Sequence, residues 1–379
     1  MYFRLNPECY YIEGEQAGAI YDLLEGSIYS LDHKESETIK MCEKHNPADE
    51  NNEFLRKLQE LCVGNFYENV TYVEKLRSGS PLHEIQKGLP PVLLRAVLEI
   101  NNRCEQTCWY CGIRGLHRSL GCMGCNKWGE QGREVSLERW KEIIDALDDL
   151  ECNSIWFTGG DLSMTWDKTL DLVNYANRTF GNIFVILNSQ KITDTISGDL
   201  FGKAQIVAQM ENPDGVKKEW INVITTEDHE IGSIESLREI NYVIDFVSKD
   251  FFALPHNSPV LSKDKLKKTG LFSFTRNKKV HPCLGNSLTI SWRGDVLPCP
   301  MMRSHTLGNI QTQDLCSIFE NDGRRVKKFW DLRLDTLKRC GQCEFRYGCN
   351  DCRALEESLT GDLNGKALCG YDSAKGAWI

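Results

Sequence analysis

Apolar residues change their period several times along the chain, and those changes divide it. In the first 75 residues, short strand-like runs at Tyr2–Leu5, 10–12 and Ser27–Leu31 stand between turn pairs such as Glu13-Gly14 and Glu25-Gly26. Two helical patterns follow, near 35–45 and 50–62. In the second, Phe54, Leu55, Leu58, Leu61 and Cys62 share one face. An extended run over 65–73 closes this segment, and 76–92, rich in Gly, Pro and Ser, reads as a linker.

From residue 93 the pattern alternates between strand and helix. Strand-like runs fall at 94–100, 154–157, 183–187, 205–208, 221–225 and 242–247. The clearest helix covers 137–150, where Leu137, Trp140, Ile143, Ile144, Leu147 and Leu150 form a stripe behind an N-cap at Ser136. Six such units predict an α/β domain over 93–280 with a parallel sheet and crossover helices. An open sheet and an incomplete TIM-type barrel both fit, and in both the active site lies at the C-terminal ends of the strands. Residues 281–379 promise few elements, the plainest being a hairpin of 287–292 and 296–297 around Arg293-Gly294-Asp295.

Composition narrows the function. A chain of 379 residues has room for one large domain and one or two small ones. Its net charge of −9 offers no basic footprint for nucleic acid. No apolar run reaches the roughly 18 residues of a membrane span, and the first residues lack the order of a secretory signal. A cytoplasmic protein with neither nucleic-acid nor membrane partners is expected. Seventeen cysteines, an odd number, then point to metal or redox chemistry rather than disulfides.

Three of those cysteines, Cys104, Cys108 and Cys111, are spaced C-x3-C-x2-C directly after the first barrel strand. Three thiolates can hold three irons of a cubane and leave the fourth iron open. Structural cysteines and a zinc site are the other readings, although zinc favours C-x2-C pairs and a fourth ligand. With Tyr110 just before its last cysteine, this loop resembles that of the radical S-adenosylmethionine (SAM) superfamily. The resemblance implies a partial (β/α)6 TIM-type barrel, SAM on the open iron, a 5′-deoxyadenosyl radical, and Tyr110 beside the adenine. At the end of the next strand, Thr158-Gly159-Gly160-Asp161 resembles the family's Gly-Gly-Glu stretch, with Asp in place of Glu. It implies main-chain contact with the SAM amino group. Asn188, Ser189 and Gln209, with Glu211 nearby, resemble later strand-end positions that meet the SAM ribose and carboxylate. Solvated loop polars are the other reading of those residues.

Further on come Cys283, Gly294-x4-Cys299, Cys340-x2-Cys343-x5-Cys349-x2-Cys352 and Cys369. This order resembles the SPASM domain, except that two residues, Asn350 and Asp351, separate the last close pair where the family has three. The resemblance implies two auxiliary clusters, and so three 4Fe–4S clusters in all. Cys283, Cys299 and Cys352 would serve the first, which either keeps an open iron or is completed by His281 or a residue outside the motif. Cys340, Cys343, Cys349 and Cys369 would serve the second. A zinc knuckle made of Cys340, Cys343, Cys349 and Cys352 is the competing reading.

Cys122-x2-Cys125 is open between metal binding, a redox pair and structural thiols. Cys9, Cys42, Cys62, Cys152 and Cys316 read as packing thiols. Asp161, Glu211, Glu227, Asp228, His229 and His256 are unranked candidates for an acid or base.

Residues 1–75 resemble the peptide-recognition domains on maturases of ribosomally made peptides, of the Cys-rich-peptide or grasp-with-spasm type. The resemblance implies four segments: 1–75 for peptide recognition, a 76–92 linker, a radical SAM core over 93–280 and a SPASM domain over 281–379. It also implies a precursor peptide whose leader adds as a strand to a sheet edge, a cross-link such as a thioether, and an electron donor such as flavodoxin or ferredoxin. The alternatives are a radical SAM dehydrogenase acting on a protein side chain, as sulfatase maturases do, or on a small-molecule alcohol, and a zinc-stabilised binding protein without catalysis.

Overall fold

The computed structural model describes residues 1–77, 93–112, 116–118, 120–226, 240–248, 268–349, 351–367 and 369–378. It resolves into two compact units. One joins Met1–Glu84, Pro255–Gly285 and Asp331–Ile379; the other joins Ile85–Leu254 and Asn286–Trp330. The linker at 76–92 lies almost wholly outside the described residues, as do Glu227, Asp228, His229 and His256.

The first unit opens with β1 (Tyr2–Leu5), β2 (Cys9–Glu13), β3 (Gly18–Asp22) and β4 (Ser27–Leu31). Helices α1 (His33–Glu43) and α2 (Glu53–Glu60) follow, then β5 (Gly64–Tyr67). Asp32 starts α1 with a capping box, its side chain accepting from Glu35 N while Glu35 reaches back to the cap backbone. β1 pairs antiparallel with β5, setting Phe3 opposite Phe66. β2, β3 and β4 form an antiparallel meander with β3 in the middle.

Strand β3 was not foreseen, and its surroundings say why. Ile20 enters one core with Phe3, Leu5, Ile39, Leu55 and Leu58. Its neighbours Ala19 and Tyr21 enter another, with Phe274, Cys343, Phe345, Tyr347 and Tyr371. A strand buried on both faces shows no apolar–polar alternation, and all five residues of β3 are buried. The cysteine-rich segment thus packs directly on the N-terminal sheet, and the Tyr21 hydroxyl donates to the Glu344 carbonyl at 2.9 Å.

The second unit holds the parallel sheet. Its elements are β6 (Arg95–Glu99), β7 (Leu116–Arg118), α3 (Leu137–Asp149), β8 (Ile155–Thr158), α4 (Trp166–Ala176), β9 (Ile183–Asn188), α5 (Asp194–Leu200), β10 (Gln205–Met210), β11 (Ile221–Thr226) and β12 (Tyr242–Ser248). Then come β13 (Ser287–Ile290), β14 (Asp295–Leu297), β15 (Gly308–Asn309) and α6 (Leu315–Trp330). Strands β6, β8, β9, β10, β11 and β12 lie side by side in chain order and parallel. That single winding is the order of a TIM-type barrel. β13 extends the sheet parallel to β6, followed by β14 and β15, while β7 pairs antiparallel with β12 at the far edge. Among the described residues the two edges are not hydrogen-bonded to each other, as in a partial barrel.

All six expected core strands are present, as is the expected hairpin, which sets Thr289 opposite Leu297. Helix α6 was not foreseen. Leu315, Ile318, Phe319, Val326, Phe329 and Trp330 are buried at helical spacing, but the polar run Glu320-Asn-Asp-Gly323 breaks the period in the sequence.

Candidate active site and cysteine clusters

The inward face of the barrel strands changes character along their length. Val97, Trp156, Ile186, Val207 and Val223 share one apolar cluster, closed by Met123 from the segment after β7. Two residues further along each strand, on the same face, stand Glu99, Thr158, Asn188, Gln209 and Thr225, with Asp245 paired beside Thr225 on β12. Glu99, Gln209, Thr225, Thr158 and Asp245 are all buried. An apolar floor beneath a polar layer at the C-terminal strand ends is the arrangement in which a barrel places its ligand site. Only Asn188 and Gln209 of this layer stand out in the sequence alone. A polar residue at the C-terminal end of an otherwise apolar parallel strand is the signal for the rest.

The cysteine loop begins five residues after β6 and is pinned at its entry. Asn101 Nδ2 donates to Thr165 Oγ1 at 2.7 Å, and Asn102 exchanges two hydrogen bonds with the Trp128 backbone at 2.7 and 2.8 Å. Sulfur atoms then receive backbone donors: Lys127 N to Cys111 Sγ at 3.1 Å and Gln106 N to Cys104 Sγ at 3.4 Å. Lys127 Nζ closes the loop on the Cys104 carbonyl at 3.0 Å. Tyr110 is fully buried beside the Cys108 thiol. Burial raises the pKa of Cys104 and of Cys108, and mutual thiolate repulsion adds to it. Three cysteine thiols on one short loop, with backbone donors aimed at two of the sulfurs, are the donor set of an iron–sulfur centre.

Gly159 and Gly160 press on the entry to this loop. Gly159 has φ of +141°, and a β-carbon there would stand 2.4 Å from the Asn101 carbonyl oxygen. One at Gly160 would stand 2.2 Å from the Arg103 carbonyl oxygen. In their place Gly160 N donates to Asn101 O at 2.9 Å and Asp161 N to Arg103 O at 2.6 Å. The glycine pair therefore fits one loop against the other, a reason for glycine that does not involve a ligand. The Asp161 carboxylate is buried, accepts from Ser163 N and Oγ at 2.9 and 2.6 Å, and lies 4.0 Å from Lys191 Nζ.

Asn188 ends β9 with Nδ2 3.9 Å from Cys108 Sγ, and Ser189 opens the turn that follows. Gln209 is turned toward Cys125, whose backbone N–H and thiol both donate to Gln209 Oε1 at 3.0 and 3.3 Å. Burial first, then the charges of Cys108, Cys111, Cys104 and Asp161, push the Cys125 thiol far up. Cys125 therefore belongs to the three-cysteine neighbourhood. Cys122 packs against the apolar floor. Glu211 acts electrostatically on Cys108 and Tyr110.

In the first unit, Cys349 lies within electrostatic reach of Cys340, Cys343 and Cys369, although among the described residues no such group is placed to hold a single metal ion. Burial raises all four, and Cys349 further feels Cys369, Cys343 and Cys340. Cys340 is pushed up to about 11 and Cys343 to about 12. Four thiols of this kind are the donor set of an iron–sulfur centre. Cys283 and Cys352 lie in this unit too, whereas Cys299 follows β14 in the second. His281 is not available as a metal ligand. Its Nδ1 accepts from the backbone N–H of Cys283 and of Leu284, each at 3.0 Å, and its Nε2 faces Asp351 Oδ2 at 3.0 Å.

No curated protein matches the chain in sequence. Among solved structures, Streptococcus suis SuiB bound to its precursor peptide SuiA aligns at 12% identity over 97% of this chain and 100% of that one, with a TM-score of 0.49. SuiB bound to S-adenosylmethionine aligns at 12% identity over 98% and 99%, with a TM-score of 0.45. Family comparison places residues 98–210 with the radical SAM superfamily and residues 282–353 with the iron–sulfur cluster-binding domain SPASM. Those spans take in Cys104, Cys108, Cys111 and the ends of β6, β8, β9 and β10, and Cys283, Cys299, Cys340, Cys343, Cys349 and Cys352, whereas Thr225, Asp245 and Cys369 lie beyond them, and the chain thus carries one segment of the radical SAM family and one of the SPASM family.

Proposed function

We propose that this chain is a radical SAM enzyme that modifies a peptide. Cys104, Cys108 and Cys111 would ligate the cluster that binds SAM. Tyr110, Gly159, Gly160, Asp161, Asn188, Ser189 and Gln209 would line the SAM site. Bound there, the cluster and SAM supply a 5′-deoxyadenosyl radical able to take a hydrogen atom from an unactivated carbon. The observation that carries this reading is the three-thiol loop held beside a buried polar layer at the C-terminal strand ends. The chain's own contribution is to orient and to exclude water. Backbone N–H groups hold the sulfurs of Cys104 and Cys111 in place, and Tyr110 is buried beside Cys108.

Cys340, Cys343, Cys349 and Cys369 would hold one auxiliary cluster. Cys283, Cys299 and Cys352 would serve the other, giving three 4Fe–4S clusters. An electron donor such as flavodoxin or ferredoxin would reduce them. The peptide reading rests on β4, an edge strand of the β2–β3–β4 sheet with Ser30 exposed, which offers a leader peptide a place to add as a strand. The product would be a cross-link such as a thioether.

Two measurements test this. The anaerobically reconstituted, reduced chain should release 5′-deoxyadenosine from SAM, and failure to do so removes the radical reading. Adding the peptide encoded by a short neighbouring open reading frame should slow amide exchange in Ser27–Leu31. Unchanged exchange throughout 1–77, with bound peptide, would remove strand addition. Deleting residues 1–75 is a poor substitute, because Ala19 and Tyr21 would leave the core that contains Cys343.

A further inference from the structure

Asp351 sits between Cys349 and Cys352 in the first unit and is 7% exposed. Its Oδ2 receives His281 Nε2 at 3.0 Å, and the Arg353 guanidinium grips both carboxylate oxygens. Arg353 is 2% exposed and spends Nη1 on the Leu363 and Gly365 carbonyls at 2.8 and 2.9 Å. On the far side of the imidazole, Nδ1 accepts two backbone N–H groups, from Cys283 and Leu284. Nδ1 therefore carries no proton, and the proton on Nε2 is donated to Asp351. His281 is fully buried, so this strut has no freedom to turn.

Such a network is an expensive way to stabilise a fold. Apolar residues of the same volume commonly do as well as a buried ion pair. Its members are placed differently from a purely structural pair: each adjoins a cysteine. His281 caps the turn of Cys283, Asp351 separates Cys349 from Cys352, and Arg353 follows Cys352. The two-residue spacing, where the SPASM pattern has three, puts Asp351 directly before Cys352.

We propose that Asp351 is a positioning residue that, through His281 and Arg353, holds Cys283, Cys349 and Cys352 in mutual register, so that one carboxylate aligns ligands of both auxiliary clusters. This rests on the cluster assignment of the preceding section. Metal-site side chains are commonly oriented by such outer partners, and these partners tune the metal. Asp351 also brings a negative charge beside Cys349 and Cys340. Removing that charge favours the more negative, reduced form of a neighbouring cluster, so its potential rises.

The test uses the full-length, anaerobically reconstituted chain and three variants. Asp351→Asn removes the hub's charge. His281→Asn keeps an acceptor for the Cys283 turn but cuts the link to Asp351. His281→Gln keeps the link and loses the acceptor. Iron per chain and EPR-monitored redox titrations are the readouts. Wild type should hold about twelve irons. Asp351→Asn and His281→Asn should move the auxiliary signals, to higher potential in Asp351→Asn, or lose about four irons or more. The signal that responds to SAM should stay where it was. If Asp351→Asn does not fold, His281→Asn decides. Lower melting temperature with unshifted auxiliary potentials and full iron in the folded variants overturns the proposal and leaves a structural triad. Wild type lacking auxiliary iron overturns instead the assignment beneath it.

Discussion

Gln209 Oε1 accepts both the backbone N–H and the thiol of Cys125, at 3.0 and 3.3 Å. The two residues are far apart in sequence, yet this carbonyl joins the middle of the barrel to the cysteine loop. Cys125 is followed by Asn126, whose N–H meets the Gly159 carbonyl at 2.7 Å, and by Lys127, whose N–H meets Cys111 Sγ. Gln209 Nε2 is engaged with Thr225 Oγ1 at 3.3 Å. Gln209→Met keeps the volume and removes the acceptor. A buried N–H left unpaired costs about 1–3 kcal/mol, so the urea midpoint should fall and the Cys125 amide should exchange faster. Unchanged values for both would show that the contact is incidental.

Gly160→Ala should be more damaging than its single methyl suggests. The new β-carbon would stand 2.2 Å from a backbone oxygen, Arg103 O, which has no rotamer by which to escape. One strand-end loop must then separate from the other, and the Asp161 N to Arg103 O bond is lost with it. Overpacking of this kind costs about 1–3 kcal/mol or more. Here the strain falls one residue before Cys104. The expected result is selective: iron content falls by about four per chain, and the signal that responds to SAM disappears while the auxiliary signals remain. Full iron loading in the alanine variant would contradict this.

Both results bear on what could be read from sequence. The six barrel strands were legible because each is a short apolar run between turn signals, and the place of Cys104, Cys108 and Cys111 in the loop after the first of them was legible from their position. Strand β3 was hidden because Ala19 and Tyr21 face one core while Ile20 faces another. The polar layer was only half visible. Thr158 and Thr225 look like ordinary strand residues until register sets them on one face with Gln209. The Gly159-Gly160 pair was legible as a close approach; that the backbone of Asn101–Arg103 occupies the place of the missing β-carbons is a second reason for glycine, which only the fold reveals. His281 looked like a spare ligand because its two hydrogen-bonding sides are filled by residues near and far in the chain.

Arg303 offers a stability test in the second unit. Its Nη1 meets both oxygens of buried Glu99 at 2.7 and 2.9 Å, and Nη2 meets Glu130 at 2.7 Å. Trp128 Nε1 donates to Glu99 as well, at 3.0 Å. Burial raises the Glu99 pKa, and Arg303 opposes the rise. Arg303→Met therefore leaves a buried carboxylate without its cation, a loss of about 3–5 kcal/mol. Adding Glu99→Gln should recover part of that loss, since the stranded charge is then gone. Urea unfolding of the two variants decides it: a double variant no more stable than the single one would mean that Glu99 is not the stranded group.

Cys9 and Cys62 should differ sharply as nucleophiles, because only the thiolate reacts. Burial first, and the carboxylates of Asp22 and Glu8 after it, push the Cys9 thiol up to about 12. Burial likewise takes Cys42 to about 11 and Cys152 to about 12, while Cys62 is exposed. At pH 8 a thiol of pKa 12 is ionised in only about one molecule in ten thousand. A pulse of iodoacetamide at that pH should alkylate Cys62 promptly and leave Cys9, Cys42 and Cys152 unlabelled until urea unfolds the chain. The linkage to stability has a definite sign. An unfolded thiol loses its proton near pH 8.5, whereas the folded Cys9 keeps its own to about 12. Between those values the folded state binds more protons, so the contribution is complete below about pH 8.5 and fades as pH rises toward the folded pKa. Replacing Cys9 with Ala, which has no proton to lose, should flatten the decline in urea midpoint between roughly pH 9 and 11. The same slope in parent and variant, or equal labelling of Cys9 and Cys62 in the folded chain, would rule out this environment for the Cys9 thiol.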